Sequence, residues 1–214
     1  MNQLTTPALA GLLITAALLV ITNDWRLSFA ALAVQYVLLA VLIVQIVLWQ
    51  VAMVKALVGL LVVGIFLLTG RQTNFGLPAP AYSLARFQEG QGYPAPPAPT
   101  GLPFRLLAAL MVIVAAWYTA SQPGFGFPGL PLALNIACYA LIALGLLNLG
   151  LTEEPMKAGI GLLTGLMGFE LMYAAVEPSL AVAALLAAVN FGVAMAASYL
   201  ALLRYTAAEK EPPR

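Results

Sequence analysis

Lys55, Glu170 and Asn190 interrupt strongly apolar stretches of this sequence. Their types suggest ion chemistry. A carboxyl group enclosed by protein inside a membrane can take up and release a proton. Intramembrane ionisable residues are rare, and they face protein or a wet cavity rather than lipid. Glu170 is therefore the candidate proton-relay group. It lies about 13 residues beyond Lys157, roughly 20 Å along a helix, which puts it past the middle of the membrane. Tyr173 and Glu177 follow it on the same helical face and extend a short polar track. A second reading makes Glu170 a hydrogen-bonded lock between two helices.

The other polar groups support this site in different ways. Lys55 stands about one and a half turns into its apolar run. It either snorkels to the interface or pairs with a buried carboxylate, in this chain or in another. Asn190 shares a face with Ala183, Ala187, Ala194 and Ala197. Small residues permit close helix approach, and an amide there bonds across the contact. It can also hold water or a neighbouring carboxylate. Glu153, Glu154 and Lys157 crowd the start of the helix that carries Glu170, where Pro155 and acidic residues suit a helix N-terminus. Gln45 and Asn148 are weaker interruptions of the same kind. Gly161, Gly165 and Gly168 mark a close-packing surface.

These residues need a membrane-spanning scaffold, and the composition supplies one. The 214-residue chain is 63% hydrophobic and only 8% charged, whereas a soluble domain carries roughly 25% charged residues. The net charge is +1, and no basic cluster with interleaved aromatics points to nucleic acid. The sequence contains no histidine, and Cys138 is its only cysteine. That removes the usual haem and zinc ligands, iron–sulfur sites and Ser-His or Cys-His catalytic pairs. No metal site and no cofactor is expected, and any electrons would be carried by partner subunits.

Apolar runs of about 20 residues cross a bilayer core of about 30 Å. They fall near 4–22, 28–47, 50–69, 104–121, 130–151, 156–176 and 179–203. The first is expected to be a retained helix rather than a signal peptide, because it lacks a basic n-region. The stretch from 28 to 69 as one helix would be about 63 Å long, so it is divided at Trp49-Gln50. The expected fold is an all-α, polytopic membrane bundle of seven helices. With this count Arg26, Arg71, Arg86, Arg105, Lys157, Arg204, Lys210 and Arg214 share one side. The positive-inside rule then places the N-terminus outside and the C-terminus in the cytoplasm. The expected organisation is an N-terminal three-helix unit (1–71), a Pro-rich cytoplasmic loop (72–103), a C-terminal four-helix unit (104–204) and a cytoplasmic tail (205–214). An internal echo relates "YVLLAVLIVQ" (36–45) to "YALIALGLLN" (139–148), and "VKALVGLL" (54–61) to "MKAGIGLL" (156–163). A duplicated three-span unit inverts between copies, as in many transport-related folds.

Residues 8–71, with "ALAGLLITAALLVITNDWRLSFAALAVQYVLL" and "WQVAMVKALVGLLVVGIFLLTGRQ", resemble the N-terminal half of hydrogenase-4 component E. The stretch "LNLGLTEEPMKAGIGLLTGLMGFELMYAAVEPSLAVAALLAAVNFGVAMAASYLALLR" resembles that family's C-terminal half. That half is in turn similar to the K subunit of complex I and the C subunit of multisubunit sodium/proton antiporters. The resemblance implies a non-redox membrane-arm subunit that helps carry protons or sodium beside other membrane subunits, in the inner (cytoplasmic) membrane. It also implies a buried Glu in the middle helix of a three-span unit and often a second acid in the next. Here the family Glu aligns near Leu166 or Met167, one turn before Glu170, and Asn190 stands where the second acid is expected. A purely structural scaffold subunit and an autonomous small transporter are the other two readings.

Overall fold

The computed structural model describes residues 2–22, 24–73, 101–127, 129–177 and 179–209. Within them the chain forms seven helices: α1 (Asn2–Ile21), α2 (Trp25–Ile43), α3 (Trp49–Thr73), α4 (Leu102–Ser121), α5 (Leu132–Gly150), α6 (Pro155–Val176) and α7 (Leu180–Glu209). Six of these, α2 to α7, are long and apolar enough to cross a membrane, and the apolar part of α1, Thr5–Ile21, is shorter. By helix length and composition the protein is a multi-pass membrane bundle. Most of the Pro-rich loop expected over 72–103 and the end of the expected tail lie outside the described residues.

Local chemistry explains the helix boundaries. Asp24 caps α2 by accepting a hydrogen bond from the Arg26 amide at 3.0 Å. Pro155 occupies the first turn of α6, where its missing N–H costs nothing. The acidic residues before it were expected to serve that N-terminus. Glu154 does stand at the cap position, but its side chain makes no capping hydrogen bond. In the α4–α5 connection Asn135 accepts from the Phe127 amide at 3.0 Å and donates to the Leu130 carbonyl at 3.2 Å. Gly124 and Gly129 in that connection adopt φ of 101° and 82°, a region glycine enters without steric cost.

The break between α2 and α3 falls earlier than Trp49-Gln50. Gln45 and Ile46 donate to the Leu42 and Ile43 carbonyls, so the chain leaves α2 through a tightened last turn. Gln45 is thus part of the turn and not an interruption within a span. Its Oε1 accepts from the Thr5 hydroxyl at 2.8 Å, which ties the start of α1 to the α2–α3 turn.

The closest helix pair is α5 with α6, and the reason is glycine. A Cβ added to Gly145 would lie 2.6 Å from the Gly161 carbonyl oxygen, and one on Gly168 would lie 2.7 Å from the Cys138 carbonyl oxygen. The two backbones therefore meet with no side chain between them, as small residues allow in membranes. Elsewhere α3 packs on α2 and α7, while α1 packs on α2, α4 and α5, so the N-terminal and C-terminal helices share one core. Helix α4 lies at the rim. It exposes Leu106, Leu110, Val114 and Trp117, as expected of a surface that faces lipid. It packs on α1 and α5 through buried Ala109, Ala116 and Ala120, and its buried Arg105 donates to the Val20 carbonyl at 3.4 Å.

The alternation of helices sorts the charges. Arg26, Arg71, Arg105, Lys157 and Arg204 all lie toward one end of the bundle. Among the described residues, the opposite end holds Glu177 and no arginine.

Candidate functional site

Three helices bring Lys55, Glu170 and Asn190 together. Lys55 comes from the second turn of α3, Glu170 from near the end of α6, and Asn190 from the middle of α7. Lys55 Nζ stands 2.5 Å from Glu170 Oε1. Asn190 Nδ2 donates to the same oxygen at 2.9 Å. All three residues are at least 97% shielded. The open question about Lys55 is thereby answered: its ammonium pairs within the chain and does not reach the interface.

The pattern of small residues on α7 makes this possible. Ala183, Ala187, Ala194 and Ala197 are all buried, so α7 approaches its neighbours closely enough for the short Asn190 side chain to reach across. On α3, Gly59 follows Lys55 by one turn, and a Cβ there would overlap the ring of Tyr36 from α2. The missing side chain seats that ring beside the ion pair. Tyr36 is fully buried and feels the charge of Glu170. Sequence reasoning did not single out Tyr36 as a site residue. An aromatic within an aliphatic run carries no signal beyond that of ordinary core.

The site is incompletely satisfied from within. Glu170 Oε2, Asn190 Oδ1 and the Tyr36 hydroxyl are buried with no hydrogen-bond partner among the described residues. Buried polar groups are nearly always bonded, and a water bound here would satisfy these atoms. A cleft leads to this point. It is lined by Lys55 and Glu170 at its floor and by Tyr173, Ala174, Glu177 and Ser179 toward its mouth. Tyr173 thus follows Glu170 as expected, half-buried, with its ring 5.8 Å from that of Phe169.

Lys157 does not join this group. It is buried at the opposite end of α6, where its charged neighbours are Arg105 and Glu154. Asn148 is also buried away from the trio, on α5. Comparison with family models, with curated proteins and with solved structures found no match.

The arrangement has a definite chemical capacity. One acid, one base and one neutral amide share a single carboxylate oxygen. Asn190 fixes the carboxyl group's orientation and leaves the second oxygen to receive a proton. Replacing Asn190 with leucine removes a hydrogen bond to a charged group, worth about 1.5–3 kcal/mol. Asn190→Leu is expected to lower the thermal unfolding midpoint in detergent, whereas Asn190→Gln, which retains the amide, is expected to recover part of it.

Proposed function

We propose that this chain is a non-redox membrane subunit of a hydrogenase-4-like or complex-I-related assembly, with Glu170 as an exchanging carboxyl in ion translocation. The observation that carries this reading is the enclosed Lys55–Glu170–Asn190 trio. A charged pair is costly to bury and is weak support for stability alone, so its presence within a membrane bundle argues for use. Lys55 tunes the charge of the site, and Asn190 holds the carboxyl in place. Proton or sodium movement would be driven by redox chemistry in other subunits. The basic end faces the cytoplasm under the positive-inside rule, in the inner (cytoplasmic) membrane.

A scaffold role is the second reading. It is favoured by Asn190, which cannot titrate and leaves one acid where the resembling family often has two. An autonomous transporter is disfavoured, because such folds bind substrate at broken helices. The described helices run unbroken past the site.

The test is purification of the tagged chain in mild detergent, followed by translocation measurements on the assembly with Glu170→Gln. Large membrane subunits are expected to travel with the chain. The assembly is expected to form, with some loss of stability because the Lys55 ammonium loses its partner, and ion translocation by the assembly recovered is expected to fall by an order of magnitude or more. Full translocation with Glu170→Gln would leave the scaffold role, and full activity of the isolated chain would overturn the subunit reading.

A further inference from the structure

The cleft above Glu170 has a direction and a width, and together they specify what can reach the carboxyl and from where. Its lining passes from Glu177, which is exposed at the end of α6, through half-buried Tyr173, Ala174 and Ser179, to fully enclosed Glu170 and Lys55. The mouth is therefore at the end of the bundle away from Arg26, Arg71, Arg105 and Arg204. Toward the basic end the same three-helix interface is filled mainly by apolar side chains. Leu163 and Met167 of α6 and Phe66 of α3 are fully buried. The Phe66 ring fills the space between Gly159 of α6 and α3, and Ala197 of α7 also approaches that glycine.

The cleft measures about 20 Å³, room for about one water molecule. Its walls are mostly apolar and include Val51, Val182 and Leu186. A sodium ion entering with its hydration shell needs several times that space. A proton needs only a water to hand it on. The charged and titratable groups around Glu170 are Lys55 from α3, Tyr36 from α2, and Tyr173 and Glu177 along α6.

We propose that this cleft is a one-sided proton entry, giving Glu170 exchange with the membrane face away from the arginines and excluding hydrated sodium. The proton arrives on water from that face and binds Glu170 Oε2, the oxygen that neither Lys55 nor Asn190 holds. The carboxyl becomes neutral, and water is left behind unchanged. This rests on the reading of Glu170 as an exchanging group.

The chain suits a cysteine-accessibility test, because its sole cysteine, Cys138, is fully buried on α5. In a Cys138→Ala background, Ser179→Cys tests the mouth, Ala174→Cys tests the passage and Ala194→Cys tests the packed interface. Membrane vesicles of each orientation, carrying the whole assembly, are treated with an impermeant methanethiosulfonate reagent, which reacts with the water-ionised thiolate. Ser179→Cys is expected to react from the arginine-free face roughly tenfold faster than from the other, while Ala174→Cys, in a passage that admits a water but no reagent bulkier than hydrated sodium, and Ala194→Cys stay silent from both. Should Ala174→Cys fail to insert, Val182→Cys on the facing helix replaces it. Equal labelling of Ser179→Cys from both faces overturns the one-sided entry, and labelling of Ala174→Cys by this bulky reagent overturns the exclusion of hydrated sodium. For the choice of ion, carbodiimide modification of Glu170 is followed by mass spectrometry. It is expected to rise as the arginine-free face is acidified and to be indifferent to sodium; protection by sodium overturns the exclusion. These readouts do not depend on turnover. One-sided labelling combined with full translocation by Glu170→Gln would sink the relay reading and leave the entry standing.

Discussion

Replacing Lys55 with methionine is expected to destabilise the bundle by about 3–5 kcal/mol, because it leaves a buried carboxylate without its ion partner. The ammonium at 2.5 Å is the only cation beside Glu170 among the described residues, and Asn190 alone cannot compensate a full charge. The double variant Lys55→Met with Glu170→Gln removes both charges at once. It keeps an acceptor oxygen for the Asn190 amide, and neutral replacements of buried pairs are often tolerated or stabilising. The double variant is therefore expected to recover most of what the single variant loses. Thermal unfolding of the four members of this cycle in detergent gives the coupling energy directly. A double variant as unstable as Lys55→Met alone would show that the two side chains do not act as a pair.

The second large effect concerns the seam between α5 and α6. Gly145→Ala is expected to destabilise by about 1–3 kcal/mol through overpacking, since its new Cβ meets backbone atoms of Gly161 and Gly165 that no rotamer change can move aside. Gly168→Ala is expected to behave alike against the Cys138 carbonyl. Gly64 of α3 and Gly192 of α7 provide the contrast, because a Cβ at either meets nothing within 4 Å. There the substitution is expected to be neutral or to stabilise by up to about 1 kcal/mol, through the better helix propensity of alanine. Midpoints of denaturation by sodium dodecyl sulfate would separate the two classes by sign. Destabilisation at all four positions would show that propensity and open space do not set these outcomes.

Much of this arrangement was legible in the sequence. The apolar runs gave the helices because a bilayer demands unbroken spans of a set length. The arginines gave the antiparallel order because their sidedness depends on the helix count. Lys55, Glu170 and Asn190 each stood out as costly residues in apolar surroundings. Their meeting was not legible, because an apolar helix surface carries little information about which neighbour it will cover. The same limit hid Tyr36, whose significance comes from the empty face of Gly59 on another helix. Lys157 was read as an accessory to Glu170 because both are on one helix, yet more than half the length of that helix separates them. The displaced α2–α3 turn has a simpler cause. Trp49 suits an interface, but the helix had already tightened to i→i+3 hydrogen bonding at Gln45 and turned out of its course.

The glycine seam also has a mechanical consequence. Two helices in backbone contact have no flexible side chains between them to absorb a shift, so α6 is held against α5 as a fixed post. Glu170 stands on that post. Lys55 belongs to α3, which rests on α2 and α7 through side chains that can repack. Any stroke that parts the two charges is therefore travelled by the lysine, while the acid keeps its place.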